Sequence, residues 1–584
     1  MKGSSSGSSR CAPDRDVVML RLLSCILCLF SAGAAFPQSD DEARQWAAST
    51  LASLSLRDKA AQMVCEQIRG GYIAEDTEDF RYWAGLAEEY GIGGFVVYGG
   101  APYETAHLLN RLQKRARIPI LVSADFEGGP GQQFQGASEF PANMALSAIG
   151  DERLAYEVGR VGALEGRAIG IHLTYSPVVD VQTVPDNPVL GVRSFGSDLD
   201  LLARMAGAYI RGYQENGMLA TAKHYPGRGD VEILEDEFLL NSKTAARVEA
   251  EDLRAFRSAV ESGVAFVMSE HIAIPALTGG SDLPASVEPK LAFYWLRERL
   301  GFQGVLTTDD LWYPKVVKRF GAERAGVLAV QAGHDVVLKP ANAIATIEAL
   351  VLAVESGDVP LASVDASVEK ILYSKARLGL HRDRFVDPER IGSVVGAKAH
   401  RELVREVAER SLTVLVDKGV FPTKREALGK IVYVSSQKNE GDPAPAAAAQ
   451  KMREGLSPEE TFLLDPGVDP ARYGAARVAA RNADTVVVAL FHQRNVYRDR
   501  GVLPMQDLEL IRGFASSGIR TIVLSFGNPY LAQDLRDVSA FVVGYGEGGF
   551  YGNQIVYADA FVRLLEGEIA ASGKAPVAGL ELSR

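Results

Sequence analysis

The chain has 584 residues, of which 47% are hydrophobic and 23% are charged, and its formal net charge at pH 7 is -12. This length is enough for two or three domains, and the composition is that of a globular protein with an ample core. An acidic chain lacks the basic footprint of a nucleic-acid-binding protein, so nucleic acid is excluded as a partner.

The N-terminal residues 1–36 have the pattern of an export signal and its upstream tail. A short apolar run at 19–30 follows Arg15, and small residues then supply a cleavage site near Ala34 or Ala35. The run is short for a membrane span, although an uncleaved anchor is the alternative. We therefore predict an exported protein, periplasmic or secreted, with no stable membrane partner after cleavage.

One cysteine remains once this segment is removed. Cys11, Cys25 and Cys28 lie in or before the signal, which leaves Cys65. A single cysteine forms neither an intrachain disulfide nor a thiolate metal cluster. We therefore expect core burial alone to hold the mature protein together.

Residues 43–380 alternate short apolar runs with amphipathic helical stretches. The runs lie at 92–98, 118–123, 171–178, 219–224, 264–269, 304–308 and 335–338, with a further strand at 61–65. Near-continuous apolar strands are typical of a parallel sheet that is buried on both faces. Eight of them within a few hundred residues predict a (β/α)8 barrel of the TIM type, which we place at residues 37–395.

Polar residues follow six of these runs, at the point where each strand would end. They are Asp125 and Glu127, Asp180, Lys223 and His224, Glu270 and His271, Asp309 and Asp310, and Lys339. Because TIM-type barrels carry their sites at the carboxyl ends of the strands, this pattern predicts an active site there.

A second domain is predicted at residues 396–584. A helix begins at His400, and apolar strands at 431–435, 485–491, 521–527 and 541–546 are separated by helical stretches. This order predicts an α/β/α sandwich, so the whole chain is an α/β protein. The alanine-rich segment 442–449 is predicted to be a loop or flexible linker.

Several longer motifs stand in a fixed order along the chain. They are Ala-Asp-Phe-Glu-Gly-Gly at 124–129, Tyr-Ser-Pro-Val-Val-Asp-Val at 175–181, Asn-Pro-Val-Leu-Gly-Val-Arg-Ser-Phe-Gly at 187–196, Lys-His-Tyr-Pro-Gly-Arg-Gly-Asp at 223–230 and Gly-Phe-Gln-Gly-Val-Leu-Thr-Thr-Asp-Asp-Leu at 301–311. With this set the chain resembles glycoside hydrolase family 3, in its β-N-acetylglucosaminidase branch. The resemblance covers nearly the whole mature chain.

The resemblance implies a retaining exo-glycosidase that acts on carbohydrate through an aspartate glycosyl-enzyme. The expected substrate is terminal β-linked N-acetylglucosamine, or another N-acetylhexosamine, in oligosaccharides or cell-wall fragments. The nucleophile falls on Asp309, and the sugar ligands fall on Asp125, Arg193, Lys223 and His224, with His271 nearby. The mechanism needs no cofactor and no metal, and the histidines show no metal-ligand spacing.

Structural alternatives exist for these residues. Asp309 could cap the following helix, or exchange roles with Asp310. The charged residues could form a buried ion-pair network, with Lys223 bound to Asp309 or Asp180 and Arg193 bound to Asp125. Glu127 is expected to support the loop at 128–129.

The motif at 223–230 is similar to the family's Lys-His-Phe-Pro-Gly-His-Gly-Asp except at Tyr225 and Arg228. The chain departs from the family pattern in two further places. Pro130 and Gly131 stand where the family usually has an arginine after its Gly-Gly pair. The second departure concerns the acid/base: the family branch has an Asp-x-His pair shortly after Gly-Asp, but no histidine occurs between His224 and His271.

Three explanations for the missing histidine stay open. A carboxyl group of the segment after Asp230 could replace it, with Glu237 at the histidine position, Glu235 at the aspartate position and Asp230 as a further candidate. The acid could instead come from the second domain, where Glu547 is available. The third explanation is a catalytically weak sugar-binding protein, and a β-glucosidase of the same family is the alternative enzyme.

Overall fold

The structure of this protein is a computed structural model that describes residues 40–185, 187, 189–233, 238–437, 443–465, 467–492, 503–546 and 554–580. Within these residues the strands form an eight-stranded, a six-stranded and a three-stranded sheet. No helix of the described part of the chain is long and apolar enough to span a membrane.

The eight-stranded sheet is a parallel barrel built by the first part of the chain. Its strands are β1 (Val64–Arg69), β2 (Gly94–Tyr98), β3 (Leu121–Ala124), β4 (Leu173–Thr174), β5 (Leu219–Tyr225), β6 (Phe266–Ser269), β7 (Val305–Thr308) and β8 (Val337–Leu338). Their order in the sheet is β7-β6-β5-β4-β3-β2-β1-β8, and a parallel bridge between Thr307 and Val336 joins its two ends. The predicted TIM-type barrel is confirmed, and burial on both faces explains the near-continuous apolar runs.

Helices surround the barrel. They are Asp40–Ser53, Leu56–Gln62, Glu78–Gly85, Pro102–Arg115, Asn143–Ile149, Glu152–Ile169, Leu199–Gln214, Ala245–Ala250, Asp252–Glu261, Pro275–Thr278, Pro314–Phe320, Arg324–Gln331, Ala343–Glu355 and Leu361–Arg377, with π-helical segments at Leu86–Tyr90 and Leu291–Arg299. The pair Glu152–Ile169 and Leu199–Gln214 packs closely because Gly159 faces the backbone of the second helix. A Cβ at Gly159 would lie 2.5 Å from the carbonyl oxygen of Tyr209, so only glycine fits this crossing.

The second domain is built on the six-stranded sheet. Its strands are β9 (Thr413–Asp417), β10 (Ile431–Gln437), β11 (Glu460–Leu464), β12 (Thr485–Phe491), β13 (Arg520–Ser525) and β14 (Ala540–Val543), in the order β9-β14-β13-β12-β10-β11. Only the β9–β14 pair in this sheet of described residues is antiparallel. The helices are Lys398–Ser411, Pro443–Leu456, Ala471–Ala480, Met505–Ser516 and Gln554–Glu566, and the short helix Ile391–Val394 before them packs on the barrel helix Glu152–Ile169. Alternate residues of β10 and β12 enter separate core clusters on opposite faces, which confirms the predicted sandwich.

Two expectations for this domain were wrong or incomplete. The predicted linker is helical from Pro443 to Leu456, because proline is tolerated in a first helical turn and alanine has the highest helix propensity. That helix buries Ala448 and Met452. Strands β9 and β11 were not predicted; β11 is an edge strand that buries only alternate residues, so its apolar signal is weak.

The two domains meet through main-chain hydrogen bonds close to the carboxyl end of the barrel. The amide of Ala142 donates to the carbonyl of Tyr545 at 3.0 Å, and the amide of Lys574 donates to the carbonyl of Ala148 at 2.9 Å. Beside Ala142, the Asn143 Nδ2 donates to the carbonyl of Arg193 at 2.9 Å. The second domain therefore supports a barrel segment that holds a predicted sugar ligand.

Candidate active site

The polar side chains predicted to form a site lie together at the carboxyl end of the barrel. Because all eight strands run parallel, the residues that follow them meet at one end. They are Asp125 and Glu127 after β3, Lys223 and His224 in β5, Glu270 and His271 after β6, Asp309 and Asp310 after β7, and Lys339 after β8. The contacts among them form two groups, one around Lys223 and one around Asp309.

Lys223 is the centre of a buried network of charges. Its Nζ lies 2.8 Å from Asp125 Oδ1 and 2.7 Å from Glu127 Oε1. Arg193 completes the network, because its Nε and Nη2 donate to the two oxygens of the Glu127 carboxylate at 2.8 and 2.7 Å. Burial alone would lower the pKa of Lys223, but the carboxylates of Asp125 and Glu127 raise it above its ordinary value. Lys223 is therefore a cation throughout the neutral range.

The predicted pairing within this network was wrong in its partners. Arg193 binds Glu127 and not Asp125, and Lys223 binds Asp125 and Glu127 rather than Asp309 or Asp180. Glu127, expected to support the loop at 128–129, is the carboxylate that both cations share. Burial opposes its ionisation, but the neighbouring Arg193 and Lys223 hold the pKa of Glu127 well below its usual range.

Asp125 is the member of this network that is open to solvent. Its side chain is 23% exposed, whereas that of Lys223 is 4% exposed. A carboxylate held by a cation on one side still offers its other lone pairs to the hydroxyl groups of a sugar. The geometry therefore suits Asp125 as a sugar ligand and Lys223 as its support.

His224 is oriented by a buried carboxylate from the segment after β4. Its Nδ1 lies 2.8 Å from Asp180 Oδ2, and its main-chain amide donates to the same oxygen at 3.3 Å. Burial, together with the cations Arg228 and Lys223, holds the pKa of His224 well below its usual value. The imidazole is therefore neutral, with Nδ1 engaged by Asp180, so Nε2 is the ring nitrogen that can reach a substrate.

Asp309 is a partly open carboxylate at the end of β7. Its amide donates to the carbonyl of Ser269 at 2.8 Å, and its Oδ1 accepts a 2.8 Å hydrogen bond from the amide of Asp310. Arg228 Nη2 lies 3.3 Å from Asp309 Oδ2. Burial would raise the pKa of Asp309, but the charges of Arg228, His271 and Lys223 lower it below its ordinary value. Asp309 is therefore an ionised carboxylate near neutral pH.

Asp310 faces away from this group, toward the loops after β7 and β8. Its Oδ2 lies 2.7 Å from Lys339 Nζ and accepts a 3.3 Å hydrogen bond from Trp312 Nε1. Burial and the adjacent charge of Asp309 raise the pKa of Asp310. The two neighbouring carboxyl groups thus differ in environment: the pKa of Asp309 is lowered, whereas that of Asp310 is raised to about 6.

Both ring nitrogens of His271 contact protein atoms. Its Nε2 donates to the carbonyl of Asp310 at 3.0 Å, and its Nδ1 lies 2.9 Å from Ser286 Oγ. The ring also stacks on Tyr313, with centroids 5.9 Å apart and an interplanar angle of 8°. His271 therefore fixes the backbone after Asp309, and its predicted contact with sugar stays a prediction.

Of the candidates for the acid/base, Asp230 is the one that lies among the described residues. Thr183 Oγ1 donates to its Oδ1, and Arg247 Nη2 lies 3.0 Å from its Oδ2. Glu235 and Glu237 lie outside the described residues, as does Glu547 of the second domain.

The described flanks of the acidic segment lie beside the site. Strands Val231–Ile233 and Leu239–Asn241 pair as an antiparallel hairpin, and the second of them pairs with Ile272–Ala273, directly after His271. The ring of Phe238 lies 6.4 Å from that of His271, centroid to centroid. The chain therefore leaves and re-enters the described structure close to the Asp309 group.

Sequence reasoning missed two site residues, Arg228 and Glu270, as members of the Asp309 group. Arg228 Nη2 forms an ion pair with Glu270 Oε2, and both side chains are buried. The signal was available: arginine at 228 replaces the histidine of the family pattern, and Glu270 is one of the polar strand exits.

Candidate ligand atoms of His224, Glu270 and Asp309 lie within 4.8 Å of one another, a group that could hold a metal ion. The Arg228 guanidinium already supplies positive charge to its two carboxylates.

The chain is similar to known proteins in sequence. Residues 57–373, more than half of the chain, match the family described as "Glycosyl hydrolase family 3 N terminal domain". A relative from Cellulomonas fimi, "Beta-N-acetylglucosaminidase/beta-glucosidase", is 28% identical over 561 residues, which cover 92% of this chain and 96% of the relative.

Solved structures show the same architecture. A glycoside hydrolase family 3 β-N-acetylglucosaminidase from Paenibacillus sp. str. FPU-7 superposes with a TM-score of 0.79 at 28% identity, over 91% of this chain and 100% of that one. "Beta-glucoside phosphorylase BglX bound to 2FGlc" superposes with a TM-score of 0.81 at 25% identity, over 92% of this chain and 96% of that one. The similarity therefore spans the barrel and the second domain together.

Proposed function

Because this chain belongs to glycosyl hydrolase family 3 and is a glycoside hydrolase, we propose that it is a retaining exo-glycosidase for terminal β-linked N-acetylglucosamine in oligosaccharides or cell-wall fragments. The observation that carries the mechanism is the ionised, partly open Asp309 beside the buried network of Lys223, Asp125 and Glu127. A retaining glycosidase needs such a carboxylate as nucleophile and polar groups that fix the sugar hydroxyls. The names of the relatives support this choice of substrate.

In the proposed reaction, Asp309 attacks the anomeric carbon while an acid protonates the departing glycosidic oxygen. A covalent glycosyl-enzyme forms. The group that acted as the acid then deprotonates a water molecule, which releases the sugar from Asp309 with retention of configuration. Asp125 and His224 bind hydroxyl groups, supported by Lys223 and Asp180. Arg193 lies in the same network, where it fixes Glu127.

The nucleophile is tested by labelling. A 2-fluoro sugar with a good leaving group should form a stable adduct on Asp309, which peptide mass spectrometry locates. The matched control is Asp310→Asn, because Asp310 is the adjacent carboxyl group with a different partner, Lys339. Labelling should persist in this variant and disappear in Asp309→Asn. A label on any other carboxylate would contradict the assignment.

We propose that a carboxyl group of the acidic segment after Asp230 is the acid/base, with Glu237 as the donor and Glu235 as its neighbour. The position of the described flank supports it, since Phe238 contacts the ring of His271. Two adjacent carboxyl groups raise the pKa of one of them, as an acid catalyst requires. Asp230 is less suited, because Thr183 and Arg247 occupy both of its oxygens.

The acid/base assignment is tested by the leaving-group dependence of one variant. Glu237→Gln should slow aryl glycosides with poor leaving groups far more than those with good ones, and azide should restore turnover of the latter. Glu232→Gln is the matched control, because Glu232 lies in the described hairpin beside Ser242. Unchanged kinetics in Glu237→Gln would eliminate Glu237 and direct the same test to Glu235 and Glu547.

A second candidate is cleavage of β-glucosides, which the names of the Cellulomonas and phosphorylase relatives favour. A panel of nitrophenyl N-acetylglucosaminides and glucosides, assayed with and without inorganic phosphate, separates the possibilities. Phosphate-dependent release of a sugar 1-phosphate would identify phosphate as the acceptor. Sugar binding without turnover of any substrate would identify a binding protein and contradict the enzyme proposal.

We also propose that the protein is exported, on the basis of the signal pattern at residues 1–36. Expression in a bacterial host, followed by fractionation and N-terminal sequencing, tests this. The expected mature protein begins after Ala34 or Ala35 and lies outside the cytoplasm. An uncleaved chain in the cytoplasm would contradict it.

A further inference from the structure

Arg228 stands in the turn after β5, at the position where the family pattern has histidine, and its backbone is held on both sides. Its amide donates to Asp180 Oδ1 at 2.8 Å, and its carbonyl accepts a 2.6 Å hydrogen bond from Asn187 Nδ2. The side chain is 3% exposed. The turn therefore aims a buried guanidinium group from a fixed backbone.

The guanidinium of Arg228 lies between two carboxylates from different strands. Its Nη2 forms an ion pair with Glu270 Oε2 and lies 3.3 Å from Asp309 Oδ2. Glu270 is nearly fully buried, and its Oε1 accepts a 2.6 Å hydrogen bond from the amide of His271. Both oxygens of Glu270 thus contact protein groups, whereas Asp309 is partly open to solvent.

Two buried carboxylates this close would repel each other without a cation between them. Oxygens of Glu270 and Asp309 lie within 4.8 Å, a distance at which like charges disfavour double ionisation. A retaining glycosidase requires its nucleophile to be ionised, and removing a cation from between two carboxylates would protonate one of them. An acidic residue at position 270 therefore requires a cation such as Arg228 beside it if Asp309 is to stay ionised.

We propose that Arg228 and Glu270 are a positioning pair: Glu270 orients the guanidinium, and the guanidinium holds Asp309 ionised and aimed at the anomeric carbon. This inference rests on the proposed function, in which Asp309 is the nucleophile. Neither residue needs to touch the substrate, since both act through Asp309.

Other charged or titratable groups also face Asp309, and they set the background for any pH measurement. They are Lys223 and His224 in β5, His271 after β6, Asp310 after β7 and Tyr98 in β2. Of these, Lys223 and His271 act in the same direction as Arg228, but Arg228 is the largest charge effect on Asp309. Its removal should therefore be measurable above that background.

Glu270 offers one competing interpretation. Retaining glycosidases have two carboxyl groups about 5 to 5.5 Å apart, so a carboxylate this close to Asp309 could itself be the acid/base. The burial of Glu270 and its ion pair with Arg228 favour the positioning role, because an acid must reach the glycosidic oxygen and hold a proton. The two roles predict different kinetics for the same variant.

The test compares Arg228→Gln, Glu270→Gln and the double variant through the pH profile of kcat/KM. Losing the cation should move the acid limb of Arg228→Gln upward by about one pH unit or more, because an opposite charge lowers a carboxyl pKa by about 1 to 3 units. The sign is upward because the ionised form of Asp309 is the active one. We also expect kcat/KM at its optimum to fall on the order of 100-fold through misplacement of the nucleophile.

The double variant separates a positioning pair from a merely structural one. Removing Glu270 together with Arg228 removes the repulsion as well as the compensation, so its acid limb should return toward that of the wild type. Arg228→Lys, which keeps the charge, should shift the limb less than Arg228→Gln and guards against misfolding of the neutral variant. Arg254→Gln is the control, because Arg254 forms an exposed ion pair with Asp200 on the outside of the barrel.

The outcomes are distinct. An unmoved acid limb in Arg228→Gln, with lowered kcat/KM, would show a structural role only and overturn the proposal. Selective slowing of poor leaving groups in Glu270→Gln, with rescue by azide, would make Glu270 the acid/base and also overturn it. Failure of the proposed function itself looks different, because the wild type would then lack turnover or carry its fluorosugar label on a residue other than Asp309.

Discussion

Substitution of Glu127 by glutamine should disturb the sugar site without touching the reacting atoms. The carboxylate of Glu127 receives three charge-assisted hydrogen bonds, two from Arg193 and one from Lys223, at 2.7 to 2.8 Å. Glutamine has the same shape, but its amide group would face these donors with a donor of its own. The one remaining acceptor oxygen can replace Oε1, which accepts from Arg193 Nη2 and Lys223 Nζ, so the bond from Arg193 Nε is lost together with the buried negative charge between the two cations.

The expected cost follows from the burial of this network. Removing one partner of a buried ion pair typically costs about 3 to 5 kcal/mol, and we expect Glu127→Gln to lose roughly 3 kcal/mol of stability because its shape is retained. Displacement of Asp125 and Lys223 by about 1 Å would lower kcat/KM roughly 100-fold.

The stability loss has a defined pH dependence. Because the cations lower the pKa of Glu127 in the folded state, its ionised form stabilises the fold above the unfolded pKa of about 4.3. That contribution is lost as the pH falls, so the difference in stability between wild type and Glu127→Gln should be full at pH 7 and shrink below about pH 4.

Two assays check these expectations. Steady-state kinetics give kcat/KM, and denaturant unfolding at pH 7 and below pH 4 gives the stability difference and its pH dependence. Glu157→Gln is the matched control, because Glu157 pairs with Arg160 in a half-exposed ion pair that is worth about 0 to 1 kcal/mol. A Glu127→Gln protein with kcat/KM close to that of the wild type would refute the shared-carboxylate interpretation.

Three further predictions concern other residues. The exposed ring of Trp312 lies beside Asp310, where it can stack on a leaving-group sugar. Trp312→Ala should therefore lower kcat/KM for disaccharides about tenfold but leave kcat/KM for a glycosyl fluoride unchanged. Equal losses on both substrates would contradict this prediction. Burial lowers the pKa of Lys375 to about 7, because it penalises the charged form of the side chain. Lys375→Met should therefore stabilise the protein most at or below pH 7, where that charged form would be buried. Since the unfolded lysine titrates near 10.4, denaturant unfolding should show the advantage vanish as the pH rises to about 10, and a pH-independent difference would contradict it. Burial raises the pKa of Cys65 to about 12, so mass spectrometry should find iodoacetamide on Cys65 at pH 8 only after denaturation, and labelling of the native protein would contradict its burial.

The barrel and most of its site could be predicted because they depend on local pattern. An apolar run followed by a polar residue marks the end of a buried strand whatever its partners are, and this placed Asp125, Lys223 and Asp309 at one end of the barrel. Strand β4 shows the limit of this signal, since the predicted run at 171–178 contains only the short strand Leu173–Thr174. The segment after it is buried and is joined to β5 by an isolated parallel bridge between Val178 and Lys223.

The pairing of charges could not be predicted, because it depends on distances between strands that the pattern leaves open. Arg193 and Glu127 lie 66 positions apart, and Asp125 lies only two positions before Glu127 in the sequence. Arg228 was visible as a departure from the family pattern, but its partner Glu270 follows a different strand, β6. A departure that adds a cation should direct attention to any unassigned carboxylate at a neighbouring strand end.

The two groups of the site share one arrangement, and this bears on the missing acid. Lys223 lies between buried Glu127 and open Asp125, and Arg228 lies between buried Glu270 and open Asp309. In each group a buried carboxylate orients a cation behind an open carboxylate, whose side chain is 23% exposed in both cases.

Neighbouring cations lower the pKa of Glu127 and of Asp309, which opposes the role of proton donor, and Glu270 is buried in an ion pair with Arg228. In the proposed reaction, we therefore expect the proton for the leaving group to come from a residue outside these two groups. The described residue Phe238, which directly follows the acidic segment in sequence, lies beside His271. Glu237→Gln and Glu270→Gln should therefore give opposite results: only the first should slow poor leaving groups selectively. The reverse result would mean that Glu270 is the acid/base and not the residue that orients Arg228, which would contradict a functional role for the shared arrangement.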